Sequence, residues 1–244
     1  MQPERSKTFS AISKESAYSS GLRAYFMKIY NYMAGGLVLS ALTAWAGIQE
    51  PLFSLFYKIT PNQMISLTGL GWVAVFAPFI LIFMLSSALN RLNTAAAQIL
   101  FWIFSGLMGI SLSNIFFIYS AASIVQALLI TAGTFGAMSL YGYTTKRPLD
   151  GIGSFLRMGV FGIFIALVVN MFMHSSALYL VSSVIAVFVF TGLVAYDTQR
   201  LKMLYNEMDS PEVQQAKAIS GALSLYLSII NLFQFILSLL GDRR

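Results

Sequence analysis

The sequence predicts an all-α integral membrane protein of seven transmembrane helices, and three observations predict it. Of the 244 residues, 57% are hydrophobic and only 10% are charged, against about 25% charged in an average soluble domain. The mean hydropathy is +0.74. The apolar residues also gather into seven nearly continuous runs, each long enough for the roughly 20 residues of a helical span. Too little charge is available to clothe a water-facing surface, so lipid is the solvent for most of the chain. Because the runs are continuous rather than alternating, they do not fit transmembrane strands.

The runs fall at about 29–48, 64–86, 96–118, 121–142, 156–173, 177–196 and 218–240. Ahead of the first lies a stretch rich in Ser and charge, 1–20, which reads as a disordered cytoplasmic tail and leaves 21–244 as the membrane domain. That basic start, with Ala44-Trp45-Ala46 further on, invites a signal-peptide reading. The basic region is too long for one, so no cleavage is expected. Pro78 lies inside the second run and is expected to kink it. Only Tyr119-Ser120 separates the third run from the fourth, which predicts a tight hairpin. Gly106, Gly109, Gly133 and Gly136 in these two runs read as close-packing positions. Single amides at Gln98, Asn114 and Asn170 read as hydrogen-bonding links between helices. After the sixth run, residues 197–217 contain Pro211 and mixed charge and read as a solvated linker with some helix.

Lys and Arg set the orientation of such a protein. Arg5, Lys7, Lys14, Arg23 and Lys28 precede the first run; alternation puts Arg91, Lys146, Arg147, Arg157, Arg200, Lys202 and Lys217 on the same side. Only Lys58, Arg243 and Arg244 fall opposite. The amino terminus is therefore expected in the cytoplasm and the carboxyl terminus outside.

Composition excludes several functions. The basic residues are scattered between apolar runs, without the stripe and interleaved aromatics of a nucleic-acid surface. No cysteine is present, so disulfides, thiol nucleophiles and thiolate metal sites are out. A lone histidine, His174, cannot build an imidazole cluster; it is expected in an external loop, away from any Ser that could act as a nucleophile. No enzyme is expected. A retinal protein needs a Lys inside its last span, and 218–240 has none.

Two features remain. Asp197 closes the charge-free run Ala177–Tyr196 in the stretch TGLVAYDTQRLK, residues 191–202. A helix carboxyl terminus carries about half a negative charge, so an acid there needs compensation from Arg200, from Arg91, from a cation or from protonation. Either it is a structural end-cap or ion pair, or it is an ion or proton site. In the last run, Ser220, Ser224, Ser228, Asn231, Gln234 and Ser238 recur at steps of three and four, which places them on one helix face. Such a stripe either bonds neighbouring helices or lines a wet path. Both alternatives predict that this helix faces protein and is central.

Three segments together carry a resemblance: GAMSLYGYTTKRPLDGIG (136–153), GLVAYDTQRLK (192–202) and GALSLYLSIINLF (221–233). They resemble the Bax inhibitor-1 family, also called the transmembrane Bax inhibitor motif family, and the similarity extends from about residue 22 onward. The resemblance implies seven helices, six surrounding a central seventh. It further implies a pH-sensitive calcium leak channel, a role in stress response or cell-death suppression, or, for some bacterial members, regulation of membrane proteases. The family's sensor is a pair of aspartates. The first falls on Asp197; the second falls on Ser228, so half of the dyad is absent. The resemblance also implies an arginine near the cytoplasmic end of the second helix that bears on the dyad; Arg91, a few residues out of register, is the only candidate for it, and Ser224 and Asn231 are further pore or gating candidates.

Two close carboxylates can hold one proton between them, and calcium favours six to eight oxygens. With one carboxylate, calcium binding is expected to be weak at best, and no other cofactor is expected. The expected function is a pH-responsive passive calcium leak in a bacterial inner membrane, with an incomplete aspartate dyad. The alternative is a non-conducting regulator that binds another membrane protein, such as a membrane protease. The expected partners are lipid, calcium or protons, and in the second case that protein.

Overall fold

The structure is a computed structural model that describes residues 3–60 and 65–242, with side chains from residue 18 onward. Its elements run α1 (Pro3–Ala46), α2 (Leu52–Phe56), β1 (Tyr57–Ile59), β2 (Ile65–Leu67), α3 (Gly69–Asn90), α4 (Thr94–Leu112), α5 (Ile115–Ile118), α6 (Ala121–Thr144), α7 (Asp150–Met173), α8 (Ser176–Leu204) and α9 (Pro211–Leu240). Among the described residues, six helical stretches are long and apolar enough to cross a membrane: α3, α4 with α5, α6, α7, α8 and α9. α1 carries most of the 29–48 run, as far as Ala46, but is more polar. Tyr30, Asn31 and Tyr32 open that run and Gly35-Gly36 dilutes it. Its helix begins within the segment read as a disordered tail. Arg243 and Arg244 lie outside the described residues.

Polar caps set most helix starts, and they move several expected boundaries. Thr68, Asn93, Ser120, Ser175 and Ser210 each accept a hydrogen bond from a backbone N–H in the first turn of the helix that follows, which satisfies one of the donors that a helix start leaves free. The second span, expected from 64, starts only at Gly69. Residues 65–67 instead pair antiparallel with 57–59, Tyr57 opposite Leu67. So short a hairpin is invisible as a hydropathy run. The chain passes through Pro78 without leaving the helix. The larger correction concerns 197–217. α8 continues unbroken through Asp197 to Leu204 and α9 begins at Pro211, so the connection shrinks to 205–210. Lys217 holds that turn shut: its Nζ donates to the Leu204 carbonyl (2.8 Å) and to Asp209 (2.6 Å).

α9 packs against α1, α3, α4, α6 and α8, while α7 packs mainly on α8. Half of the apolar stretch of α9 is buried, against 17% for α3 and for α7. α9 therefore faces protein and the other two face outward. The bundle has two ends. At one, the rings of Tyr18 and Tyr25 of α1 pack edge-on and tilted, respectively, against Tyr205 in the α8–α9 turn, with ring centroids 5.4 and 5.5 Å away. At the other, Gly47 sits against Ser113, and Asp242 exchanges hydrogen bonds with Ser120 and Ser123. α1 thus runs from one end to the other. It is tied to α4 and α9 midway, where buried Ser40 Oγ meets the Tyr226 hydroxyl (2.6 Å) and the Ser105 carbonyl (2.7 Å). Outward-facing rings such as Phe83, Phe155, Phe172 and Phe188, all at least 70% exposed, form an apolar surface that suits lipid rather than water.

Close packing follows only part of the glycine reading. A Cβ at Gly109 would collide with the Ser40 carbonyl and Thr43 of α1, whereas at Gly106 it would make ordinary contact. At Gly133 and Gly136 nothing lies within 4 Å, so these two do not seat a neighbouring helix. Gly109→Ala should therefore lower stability by about 1–3 kcal/mol through overpacking. Gly133→Ala should be neutral or stabilising by up to about 1 kcal/mol through helix propensity. Unfolding midpoints of the two purified variants check the contrast, and equal losses would contradict it.

Candidate functional site

The site grows from five consecutive residues of α8, each pointing about 100° from the last and each finding a different neighbour. Ala195 lies against Gly142 of α6, where any side chain would strike the Ala195 carbonyl. The Tyr196 ring packs on Gly153 of α7 and lies beneath the Arg157 guanidinium, 5.5 Å from its centroid. Asp197 accepts a hydrogen bond on Oδ2 from the Ser224 hydroxyl of α9 at 2.7 Å. The Thr198 hydroxyl meets Ser139 of α6 at 3.2 Å, and Ser139 in turn meets the Tyr30 hydroxyl of α1 at 2.6 Å. Gln199 clasps the α6–α7 connection, accepting from the Leu149 N–H and donating to the Arg147 carbonyl, both at 2.8 Å. One turn and a half of α8 thereby fixes α1, α6, α7 and α9.

Asp197 is buried, 8% exposed, and it is not at a helix end, since α8 continues for roughly two further turns. The end-cap reading loses its premise. The charges acting on the carboxylate are Arg200, one turn along α8, and Arg157 of α7; Ser228, also buried, faces it as a second hydroxyl. Neither arginine approaches within ion-pair distance. Among the described residues the one ion pair is Lys217–Asp209.

Two cavities meet here. The larger, about 780 Å³, runs along α9 between α3, α4, α7 and α8, and five residues of the polar stripe line it: Ser224, Ser228, Asn231, Gln234 and Ser238. The smaller, about 350 Å³, opens at the Tyr205 end beside Asn90, Lys217 and Ser220. Asp197, Arg200 and Ser224 line both. They form the partition between the two spaces, with the Asp197–Ser224 hydrogen bond bridging α8 and α9 across it.

The expected site residues separate cleanly in space. Asp197, Ser224, Ser228 and Asn231 share the large cavity. Arg91 does not join them: it is the exposed cap of α3 in the α3–α4 turn, lines neither cavity and does not act on Asp197. Asn170 serves its own turn, accepting from the Ser175 N–H at 2.9 Å, rather than linking helices. Asn114 lines the far end of the large cavity, and Gln98 is exposed. Sequence reasoning did not give Arg157 a place in the site, because its position near the start of a run marks it equally as a topology residue. The i,i+3 spacing of Asp197 and Arg200 was a usable signal. Among the described residues no three acidic or His side chains gather for a metal. The oxygens on offer at the partition are one carboxylate and two hydroxyls, too few to hold calcium tightly.

Residues 22–244 match the family model described as inhibitor of apoptosis-promoting Bax1. The chain belongs to the Bax inhibitor-1 family. Its relatives are similar over nearly their whole length. An uncharacterized protein of Rickettsia prowazekii is 42% identical over 239 residues, 98% of each chain. The inner membrane protein YbhL of Escherichia coli is 41% identical over 232 residues, covering 92% of this chain and 94% of that one. An uncharacterized protein of Caulobacter vibrioides is 41% identical over 227 residues, 92% and 91% of the two chains. In this family member, the segment 195–199 that carried the resemblance is also the one that fastens four helices to α8.

Proposed function

We propose that this protein is a pH-responsive passive cation leak, with calcium as the cargo, and that the partition of Asp197, Ser224 and Arg200 is its gate. The observation that carries the reading is the sharing of these three residues by two cavities whose other lining residues differ. A pathway of this shape needs only a small displacement of α8 against α9 to become continuous. Protonation of Asp197 would convert a charge-assisted bond into a neutral one, roughly half as strong, and so would loosen the link that holds the partition shut. One carboxylate faced by two arginines attracts calcium weakly, which suits passage rather than retention. The reading involves no catalytic step and no cofactor.

In this reading α1 makes a seventh crossing, because it spans the bundle from the Tyr205 end to the Ser113 end, and the other helices surround α9. The Tyr205 end, with Arg91, Lys146, Arg147, Arg200, Lys202 and Lys217, faces the cytoplasm. The membrane is the bacterial inner membrane, the location printed in the name of the Escherichia coli relative. A second reading, a non-conducting regulator that binds another membrane protein, draws support from the same two arginines. Their positive charge beside the lone acid opposes cation entry.

Reporter fusions after Lys146 should read cytoplasmic and fusions after Asp242 external; the same side for both would overturn the seven-crossing arrangement. Calcium flux into liposomes holding the purified protein should vary with pH. Asp197→Asn should flatten that dependence, because the amide still accepts from Ser224 but cannot titrate. Asp209→Asn, at the Lys217 pair in the α8–α9 turn, should leave it intact. Absence of flux in the parent protein would favour the regulator.

A further inference from the structure

The large cavity is not closed on all sides. Its floor is α4, α8 and α9, and its two lips are α3 and α7. α3 packs on α4 and α7 packs on α8, but α3 and α7 share no packed seam. The lips are apolar stripes at helical spacing: Val75, Phe79 and Ile82 on α3, and Val160, Phe164 and Leu167 on α7. Phe79 and Phe164 are more than half exposed. A helix-to-helix gap with such lips opens sideways, into the hydrocarbon of the bilayer.

The α7 stripe is headed by Arg157, which lines the cavity together with Arg200 at the end nearer Tyr205. Both arginines are exposed residues, and neither is ion-paired among the described residues, although the Arg157 guanidinium lies over the Tyr196 ring and donates to the Ser154 hydroxyl. Asp197 balances one of these two charges, so one cation is in excess at the point where the cleft meets the headgroup level. A volume of about 780 Å³ lies in the upper part of the roughly 300–1,000 Å³ that accommodates a small organic ligand. An occupant must therefore carry an anionic head and an apolar tail, and must arrive from the bilayer.

We propose that the α3–α7 cleft is a binding site for an anionic phospholipid of the surrounding leaflet, its phosphate held by Arg157 and Arg200 and one acyl chain inserted between the lips. Basic pockets between transmembrane helices on the cytoplasmic side hold anionic headgroups by this chemistry. The bound chain lies against Ser228 and Asn231, next to the partition. Lipid composition then controls how much of the large cavity is open to water, whether the protein conducts or only signals. The site depends on the cleft and its charges, not on conduction, so a bilayer binding assay and a flux assay fail independently.

The test uses the full chain in phosphatidylcholine bilayers, with a tryptophan reporter at the lip (Phe164→Trp) and a control reporter on the lipid-facing side of α6 (Leu129→Trp). The native Trp45, Trp72 and Trp102 are first replaced by Phe. Brominated phosphatidylglycerol or brominated phosphatidylcholine is then added at low mole fraction, and quenching of the introduced tryptophan is measured. At Phe164→Trp the anionic lipid should quench preferentially, by roughly fivefold in apparent affinity for one uncompensated arginine. Leu129→Trp should not discriminate. Adding Arg157→Gln and Arg200→Gln to the lip reporter should abolish the preference, and Lys at both positions should restore part of it. Equal quenching by the two lipids at the lip would overturn the proposal, as would a preference that survives the Gln substitutions or appears equally at Leu129→Trp.

Discussion

A carboxylate set two turns inside a continuous helix must find its partners on neighbouring helices, and this bundle is arranged around that requirement. An acid deep in a bilayer costs about 2.5–3.5 kcal/mol on insertion scales, and less toward the interface. A hydrogen bond to a charged group returns about 1.5–3 kcal/mol. The bond from Ser224 to Asp197 therefore offsets most of the cost, but only while α9 keeps that hydroxyl in register with α8. Ser228, Arg157 and Arg200 contribute the remainder. The bond links α8 to α9, and in the proposed function protonation of Asp197 weakens it by removing the charge on its acceptor.

Around that bond the neighbouring residues of α8 divide the labour. Gly142 and Gly153 admit α8 closely on two sides. Thr198 joins a hydroxyl chain that reaches α1, and Gln199 fixes the loop from which α7 starts. α3 is the element least involved: it leans on α4, has little contact with α9 and has only 17% of its apolar stretch buried. The two cavities adjoin that helix as well.

Much of this was legible in the sequence because hydropathy reports on solvent, and the solvent here is mostly lipid. The last six runs recur as membrane-length helices, five residues of the polar stripe of α9 line one cavity, and Asp197 is buried beside them. What the sequence hid follows other physics. The continuation of α8 past Asp197 was masked because the charged residues after it resemble a linker, yet Gln199 and Lys202 are tied to the α6–α7 segment, Lys202 through the Tyr143 carbonyl at 2.8 Å. Gly133 and Gly136 share the spacing of packing glycines, but spacing cannot say which face of α6 meets protein. Arg157 came to Asp197 through tertiary packing of α7 on α8, which has no local signature, whereas Arg91, the candidate for the family's arginine, caps α3 away from the site.

The account rests on one claim, that contact between positions 197 and 224 keeps the two cavities apart. The chain has no cysteine, so a pair introduced as Asp197→Cys and Ser224→Cys can be oxidised without background. The bond is followed by mass and calcium flux is followed in the same liposomes. The account predicts that oxidation joins the two residues and stops the flux, and that reduction restores it. A disulfide that fails to form, or one that forms while the flux continues unchanged, would contradict it.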